Sequence, residues 1–203
     1  MTRDFIYLAS ASPRREELLR QIGVAFATRP AAIAEERLPR EPPADYVQRT
    51  ARAKAAAVWA SAAVQARPRP VLAADTAVVL DDVVFGKPVD AQEALEMLAA
   101  LSGRSHVVLT AVAVHAEGAA EERLSRSEVR FRATTHAERV AYCATGEPLD
   151  KAGAYAIQGR GALFVERLEG SYTGVVGLPL LETAALLGRY GLPSWLTTNR
   201  TPQ

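Results

Sequence analysis

Cysteine is nearly absent: Cys143 is the single one in 203 residues. A lone thiol excludes an internal disulfide and any cysteine-cluster metal site, and it suits a reducing cytoplasm. Aromatic residues make up only 6%, too few for the stacking platforms of a nucleic-acid-binding module. Neither sign of charge dominates. The balance of 24 Lys and Arg against 23 Asp and Glu leaves +1, which argues against a nucleic-acid coat or a membrane-surface protein. No window approaches about 18 uninterrupted apolar residues, so no membrane span is expected. Asp4 sits among the first residues and no long apolar core follows, so no signal peptide is expected either. Repeats, a nucleophile elbow and a Walker phosphate loop are also missing. The three histidines, His106, His115 and His136, lack metal-ligand spacing, and His106 reads as a satisfied strand-edge residue.

What is present is an ordinary globular chain, 49% apolar and long enough for one large domain or two closely packed lobes. Residues 1–195 read as one two-lobed unit and 196–203 as a polar tail. Strands and helices alternate. Ile6 to Ala9 is a short apolar run, followed by Ser12 in an N-cap position and a helix from Pro13 to Gln21. A short strand is expected over Val24 to Thr28 and a loop over Pro30 to Arg37. Pro42-Pro43 opens a long helix running to about Ala66, with Tyr46, Val47, Ala51, Lys54, Val58 and Ala62 near helical spacing. Val71 to Leu80 reads as a buried strand interrupted at Asp75-Thr76, and Asp81-Asp82 turns it into Val83 to Phe85. Asp90 and Glu93 resemble a capping box for a helix ending at Leu101-Ser102-Gly103. Strands at His106 to His115 and Leu124 to Arg132 flank a turn at Glu117-Gly118. Thr135 caps a helix through Ala144. A glycine-punctuated loop spans Gly146 to Gly161, Ala162 to Leu168 is a strand, and Pro179 to Tyr190 a last helix. Hairpins mixed with βα units predict an α/β fold with a mixed sheet.

Several polar residues stand where apolar ones belong. Arg14 and Arg15 put two cations into the first turn of a helix, at the positive end of its dipole, where each costs about 0.3–1 kcal/mol unless an anion sits beside it. Together with Ser10, Ser12 and free main-chain N–H groups they suggest a phosphate cradle, against the plainer reading of an exposed basic turn. Asp75 interrupts an apolar strand. An unpaired buried charge is costly, so it needs a metal, a cationic partner or a proton, unless it caps a strand bend. Thr76 faces the other way in a regular strand, so only one of the two is expected to point at the site. Lys87, in Phe85-Gly86-Lys87-Pro88, can reach into a cleft or stay on an exposed turn. Glu35 and Glu36 offer carboxylates for a metal or for solvent. Gln158 carries both a donor and an acceptor, suited to reading the edge of a base. Arginines, lysines and carboxylates in such a set point to phosphate-ester or anhydride chemistry.

The order of these motifs resembles the Maf family of nucleoside triphosphate pyrophosphatases from about Ile6 to Leu192. The shared landmarks are Ser10-Ala11-Ser12-Pro13-Arg14-Arg15, Ala74-Asp75-Thr76, Gly86-Lys87-Pro88, Leu101-Ser102-Gly103-Arg104, Gly146-Glu147-Pro148, Asp150-Lys151-Ala152-Gly153 and Val176-Gly177-Leu178-Pro179. The resemblance implies a two-lobed α/β fold, a mixed twisted sheet flanked by helices, a central nucleotide cleft and a homodimer. It implies hydrolysis of a nucleoside triphosphate to the monophosphate and pyrophosphate with a divalent metal, Mg2+ or Mn2+. By position, Asp75 matches the family's proton acceptor, and Arg14, Thr76 and Gln158 its substrate-discriminating residues. Ser10 and Ser12 fall with the substrate-binding set. Glu35, Lys54 and Lys87 fall among the charged cleft residues, which assigns Glu35 and Asp75 to metal and the lysines to phosphates. Leu149 to Gly159 resembles the branch acting on dTTP and UTP, with a house-cleaning role toward modified pyrimidine triphosphates. The alternatives are hydrolysis of 7-methyl-GTP and a nucleotide-binding role in regulating cell division and septum formation.

Overall fold

A computed structural model describes residues 5–117 and 119–192. In chain order the elements are β1 (Ile6–Leu8), α1 (Pro13–Gln21), β2 (Phe26–Thr28), α2 (Pro43–Trp59), α3 (Ala62–Gln65), β3 (Val71–Leu80) and β4 (Val83–Phe85). There follow α4 (Ala91–Leu101), β5 (Ser105–Ala116), β6 (Ala119–Phe131), α5 (His136–Cys143), β7 (Val165–Glu169), α6 (Tyr172–Val176) and α7 (Leu180–Gly188). The strands form one sheet in the order β2-β1-β3-β5-β6-β7, with β4 added to β3. β1 runs parallel to β2 and β3, and every other pairing is antiparallel. The mixed α/β sheet expected from the sequence is the one found.

β3 organises the molecule. It pairs with β5 from Val71 to Val79 along one edge. On its other edge β1 takes Val71 and Leu72, and β4 takes Val78 to Leu80. Among the described residues, Ala73 to Ala77 therefore have no neighbouring strand on that side. The sheet has a notch in the middle of its central strand. The faces are equally divided. Val71, Ala73, Ala77 and Val79 join an apolar cluster with Val47, Ala51, Ala55 and Val58 of α2. On the opposite face, Leu72 and Ala74 pack with Leu19 of α1 and Leu186 of α7, whereas Val78 and Leu80 pack with Leu98 of α4 and Phe131 of β6. Thr76 stands between these last two clusters. Alanine on both β3 and α2 lets the helix lie close on the sheet.

Some expectations need correction. β3 is continuous through Asp75-Thr76, because β5 pairs with both residues and Asp75 finds a cationic partner. The long helix ends at Trp59. Ser61 starts the new turn of α3, its hydroxyl bonding the Val58 carbonyl at 2.7 Å, so Ala62 is exposed and Val64 is buried instead. The Asp81-Asp82 turn has φ of 48° and 63° at its two residues, the primed hairpin geometry that follows the strand twist. Asp90 accepts the Glu93 amide, but the Glu93 carboxylate returns to Val89 and not to the cap, so the capping box is half formed. Thr135 and Glu138 make a complete one. β6 begins at Ala119, earlier than its alternating pattern suggested. Gly146 to Gly161 contains short 3-10 turns, and Arg160–Phe164 is another, which delays β7 to Val165. α6, five residues long, is too short to show periodicity. Gly118 of the expected turn and the 196–203 tail lie outside the described residues.

His106 is on β5 and buried, not at a strand edge. Its Nε2 meets the Tyr155 hydroxyl at 2.9 Å, and its Nδ1 has no partner among the described residues. Burial drops its pKa to about 4. The unfolded chain then takes up a proton near pH 6.5 that the folded chain refuses until about pH 4, so stability is lost as pH falls through that window. The loss is about 3 kcal/mol. Urea unfolding of His106→Leu should lack this component. The stability difference between wild type and variant is expected to shrink by that amount from pH 7 to pH 4.

Candidate active site

The notch in β3 opens into a cleft of about 600 Å³. Ser10, Ser12, Arg14, Glu35, Lys54, Asp75, Thr76, Lys87 and Gln158 all line it. The sequence therefore named residues that the fold brings together. Asp75 and Thr76 lie on opposite faces of β3, as a regular strand requires, yet both reach the cleft. Without a neighbouring strand at the notch, the cavity wraps around the edge of β3 and touches both faces.

Asp75 is buried and its Oδ1 receives Lys54 Nζ at 2.7 Å. Lys54 lies on the buried stripe of α2 with Val47, Ala51, Ala55 and Val58, so helix packing aims it at the sheet. The same ammonium reaches Glu35 Oε2, also at 2.7 Å, and the Glu35 carbonyl accepts the Tyr46 hydroxyl. Burial raises the Asp75 pKa above the usual carboxylate range, and Lys54 and Arg15 pull against it. Asp75 Oδ2 takes no hydrogen bond from a described residue. A carboxylate poised between these pressures, with one oxygen free, is suited to accepting a proton.

Arg15, mentioned in the cradle but not placed among the site residues, is the more deeply set of the two arginines. Its guanidinium donates to the Gly177 carbonyl (2.8 Å), Ser10 Oγ (3.2 Å) and Thr76 Oγ1 (3.4 Å). All three acceptors are neutral. Gly177 takes φ of +123°, which only glycine adopts readily, to present that carbonyl. Burial lowers the Arg15 pKa, although an arginine stays charged. It is a partly shielded cation with no carboxylate in ion-pair contact among the described residues, beside a cleft. The signal for it in sequence was its place in the first turn of α1. Arg14, in contrast, pairs with Asp150 at 2.9 Å across the cleft mouth.

The cradle itself differs from expectation. Ser12 makes no side-chain cap. Its carbonyl takes the Arg15 and Glu16 amides, and its own amide donates to Ser10 Oγ at 3.1 Å. The hydroxyl of Ser10 thus orders the turn and Arg15 together. Thr76 shares a 2.9 Å bond with Thr110, which donates to the Gly174 carbonyl. Lys87 is exposed at the mouth and is in ion-pair contact with no carboxylate among the described residues. Gln158 is exposed and lines the cleft beside Ile157 and Tyr155. Glu36 does not line the cleft; its carbonyl accepts Arg49.

Arginines and lysines in the lining, a buried carboxylate at the notch and an exposed amide side chain in one cleft suit a phosphorylated ligand carrying a hydrogen-bonding ring. The chain belongs to the Maf family: it matches the family described as Maf-like protein over residues 5–190. It is 53% identical to a dTTP/UTP pyrophosphatase of Saccharophagus degradans, over 94% of this chain and 90% of that one. A protein of the same name from Anaeromyxobacter dehalogenans is 55% identical (93% and 95% covered), and one from Nitrosomonas europaea 51% (92% and 95%).

The Lys54–Asp75 pair is buried on both sides, so Lys54→Met leaves a carboxylate without its cation. Breaking such a pair costs about 3–5 kcal/mol. Urea unfolding at pH 7 should show that loss. It should shrink on acidification, as Asp75 takes a proton, and be largely recovered in Lys54→Met combined with Asp75→Asn.

Proposed function

We propose that this chain is a pyrophosphatase that hydrolyses dTTP and UTP to the monophosphate and pyrophosphate. The observation that carries it is Asp75, buried at the notch with one oxygen free, in a cleft whose other charged walls are mainly cationic. Identity above 50% to proteins named for that activity supports the choice of substrates. A house-cleaning role toward modified pyrimidine triphosphates rests on the same reading.

The triphosphate lies along Arg15, Ser10 and Lys87, with Arg14 available if substrate displaces Asp150. Water attacks the α-phosphorus, and its proton passes to Asp75 Oδ2 as the new P–O bond forms. The bond from the α-phosphorus to the bridging oxygen breaks. Pyrophosphate departs with that oxygen, its charge met by the arginines and Lys87. Lys54 keeps Asp75 ionised before the step and steadies its orientation. Gln158 faces the base.

The donor set fits a hard divalent cation. Two carboxylates, Glu35 and Asp75, flank the site, and no third His, Cys, Asp or Glu joins a cluster among the described residues. That suits Mg2+ or Mn2+, which bind through one or two carboxylates and complete their shell with phosphate oxygens and water. Such a cation supplies charge neutralisation and a more acidic water. The described sheet is single, which supports residues 1–195 acting as one unit. No described helix is long and apolar enough to cross a membrane. We place the protein in the cytoplasm as a homodimer without nucleic-acid partners, and light scattering tests the dimer.

Pyrophosphate release from a triphosphate panel with Mg2+ or Mn2+ tests the reading. Fast turnover of dTTP and UTP is expected, with Asp75→Asn losing about 10²–10⁴-fold in kcat while still binding UTP. Turnover of 7-methyl-GTP in their place would show that the base pocket was misread. Tight binding without turnover of any triphosphate would leave a regulator.

A further inference from the structure

Gln158 sits at the tip of a short turn from Ala156 to Gly161, closed by the Gly159 amide on the Ala156 carbonyl at 3.1 Å. Its own side chain makes no hydrogen bond with a described residue. The turn is held from behind, by two residues that do not line the cleft. Glu147 Oε1 accepts the Tyr142 hydroxyl at 2.7 Å and the Gly161 amide at 3.1 Å, and its Oε2 accepts the Arg160 amide at 3.2 Å. The Tyr142 hydroxyl in turn accepts the Ala156 amide at 3.1 Å. One carboxylate and one phenol thus bond three amides that bracket Gln158 on both sides.

The fit is close. A Cβ at Gly159 would lie 2.5 Å from Glu147 Oε1, and one at Gly161 would lie 2.8 Å from the Tyr142 oxygen. The turn lies close on the pair: a side chain at Gly159 would displace the Glu147 carboxylate, and one at Gly161 would meet the Tyr142 oxygen and the Ala156 backbone. Glu147 has no Lys or Arg in ion-pair contact with its carboxylate among the described residues; Lys151 donates to its main-chain carbonyl instead. An anion held by neutral donors is placed for its acceptors, not for an ion pair. Burial pushes the Glu147 carboxyl up, but the bonds from Tyr142, Gly161 and Arg160 outweigh it and hold it below its usual range. Burial and Glu147 push the Tyr142 phenol up, so it remains a donor.

We propose that Glu147 and Tyr142 are positioning residues that set the choice of base, by fixing the turn that aims Gln158 into the cleft. The proposal rests on the reading of Gln158 as the side chain that meets the base. It assigns specificity to a pair that touches no substrate.

Steady-state kinetics with UTP and CTP on Glu147→Ala, Glu147→Gln, Tyr142→Phe and Gln158→Ala, beside thermal melts, tests it. Glu147→Ala and Tyr142→Phe are expected to raise the KM for UTP more than they lower kcat. They should cut the UTP-over-CTP preference in kcat/KM about tenfold or more, in the same direction as Gln158→Ala. Glu147→Gln keeps one acceptor oxygen and should recover part of the preference. An unchanged preference in Tyr142→Phe and the Glu147 variants, with only the melting temperature lowered, would overturn the proposal while Gln158→Ala still shifts it. An unchanged preference in Gln158→Ala would overturn the base-reading role and the proposal with it. If Glu147→Ala does not fold, Tyr142→Phe alone decides.

Discussion

A carboxylate on the central strand of a sheet cannot stand unpaired in an apolar core, and much of this structure follows from how Asp75 is accommodated. Its partner has to come from the helix lying on that face. Alanines on β3 and α2 bring the two elements close, and helical spacing puts Lys54 on the stripe that faces the strand. The second requirement is access. β1 stops at Leu8, opposite Leu72, and β4 stops at Phe85, opposite Val78, so the edge of β3 is bare where Asp75 and Thr76 sit. A longer β1 or β4 would close the notch and turn Asp75 into an ordinary buried ion pair. The Lys54–Asp75 contact and the notch together make it a group that can meet a ligand.

The charges around it are graded by exposure. Lys54 is committed to carboxylates, Arg15 to neutral acceptors, Arg14 to an exposed partner, and Lys87 to no ion pair with a described residue. An incoming polyphosphate finds Lys87 without an ion pair, Arg15 held by neutral acceptors, and Arg14 after exchanging Asp150. This order favours binding of the anion without exposing Asp75 to loss of its own counter-ion. Thr76 and Thr110 form a polar band between the two apolar clusters on the other face, so the cleft divides the core there without leaving hydroxyls unpaired.

Much of this was legible in sequence for identifiable reasons. Asp75 stood out because charge in an apolar pattern is unusual, and Arg14-Arg15 because cations oppose a helix dipole, whereas Lys54 gained its role only from the family resemblance. Both signals are local. The residue pattern did not show how Asp75 and Thr76 share a site, which only the family resemblance implied, because a two-residue period predicts opposite faces and says nothing about a missing neighbouring strand. Arg15 and Arg14 look alike in the chain; only the third dimension gives one to Gly177 and the other to Asp150. α6 and the 3-10 turns near Gln158 are too short for any period; α6 is capped by Ser171, and the turn at Gln158 is held by Glu147 and Tyr142. The break after Trp59 was hidden by an alanine-rich stretch that reads as continuous helix.

The most direct test of the account is a crystal structure with the α,β-imido analogue of dUTP, whose bridging nitrogen resists cleavage. The account predicts the α-phosphorus at the notch, one water away from Asp75 Oδ2, with the outer phosphates on Arg15 and Lys87 and the base toward Gln158. A γ-phosphate at Asp75, or a base lying against Lys54 and Glu35, would contradict it.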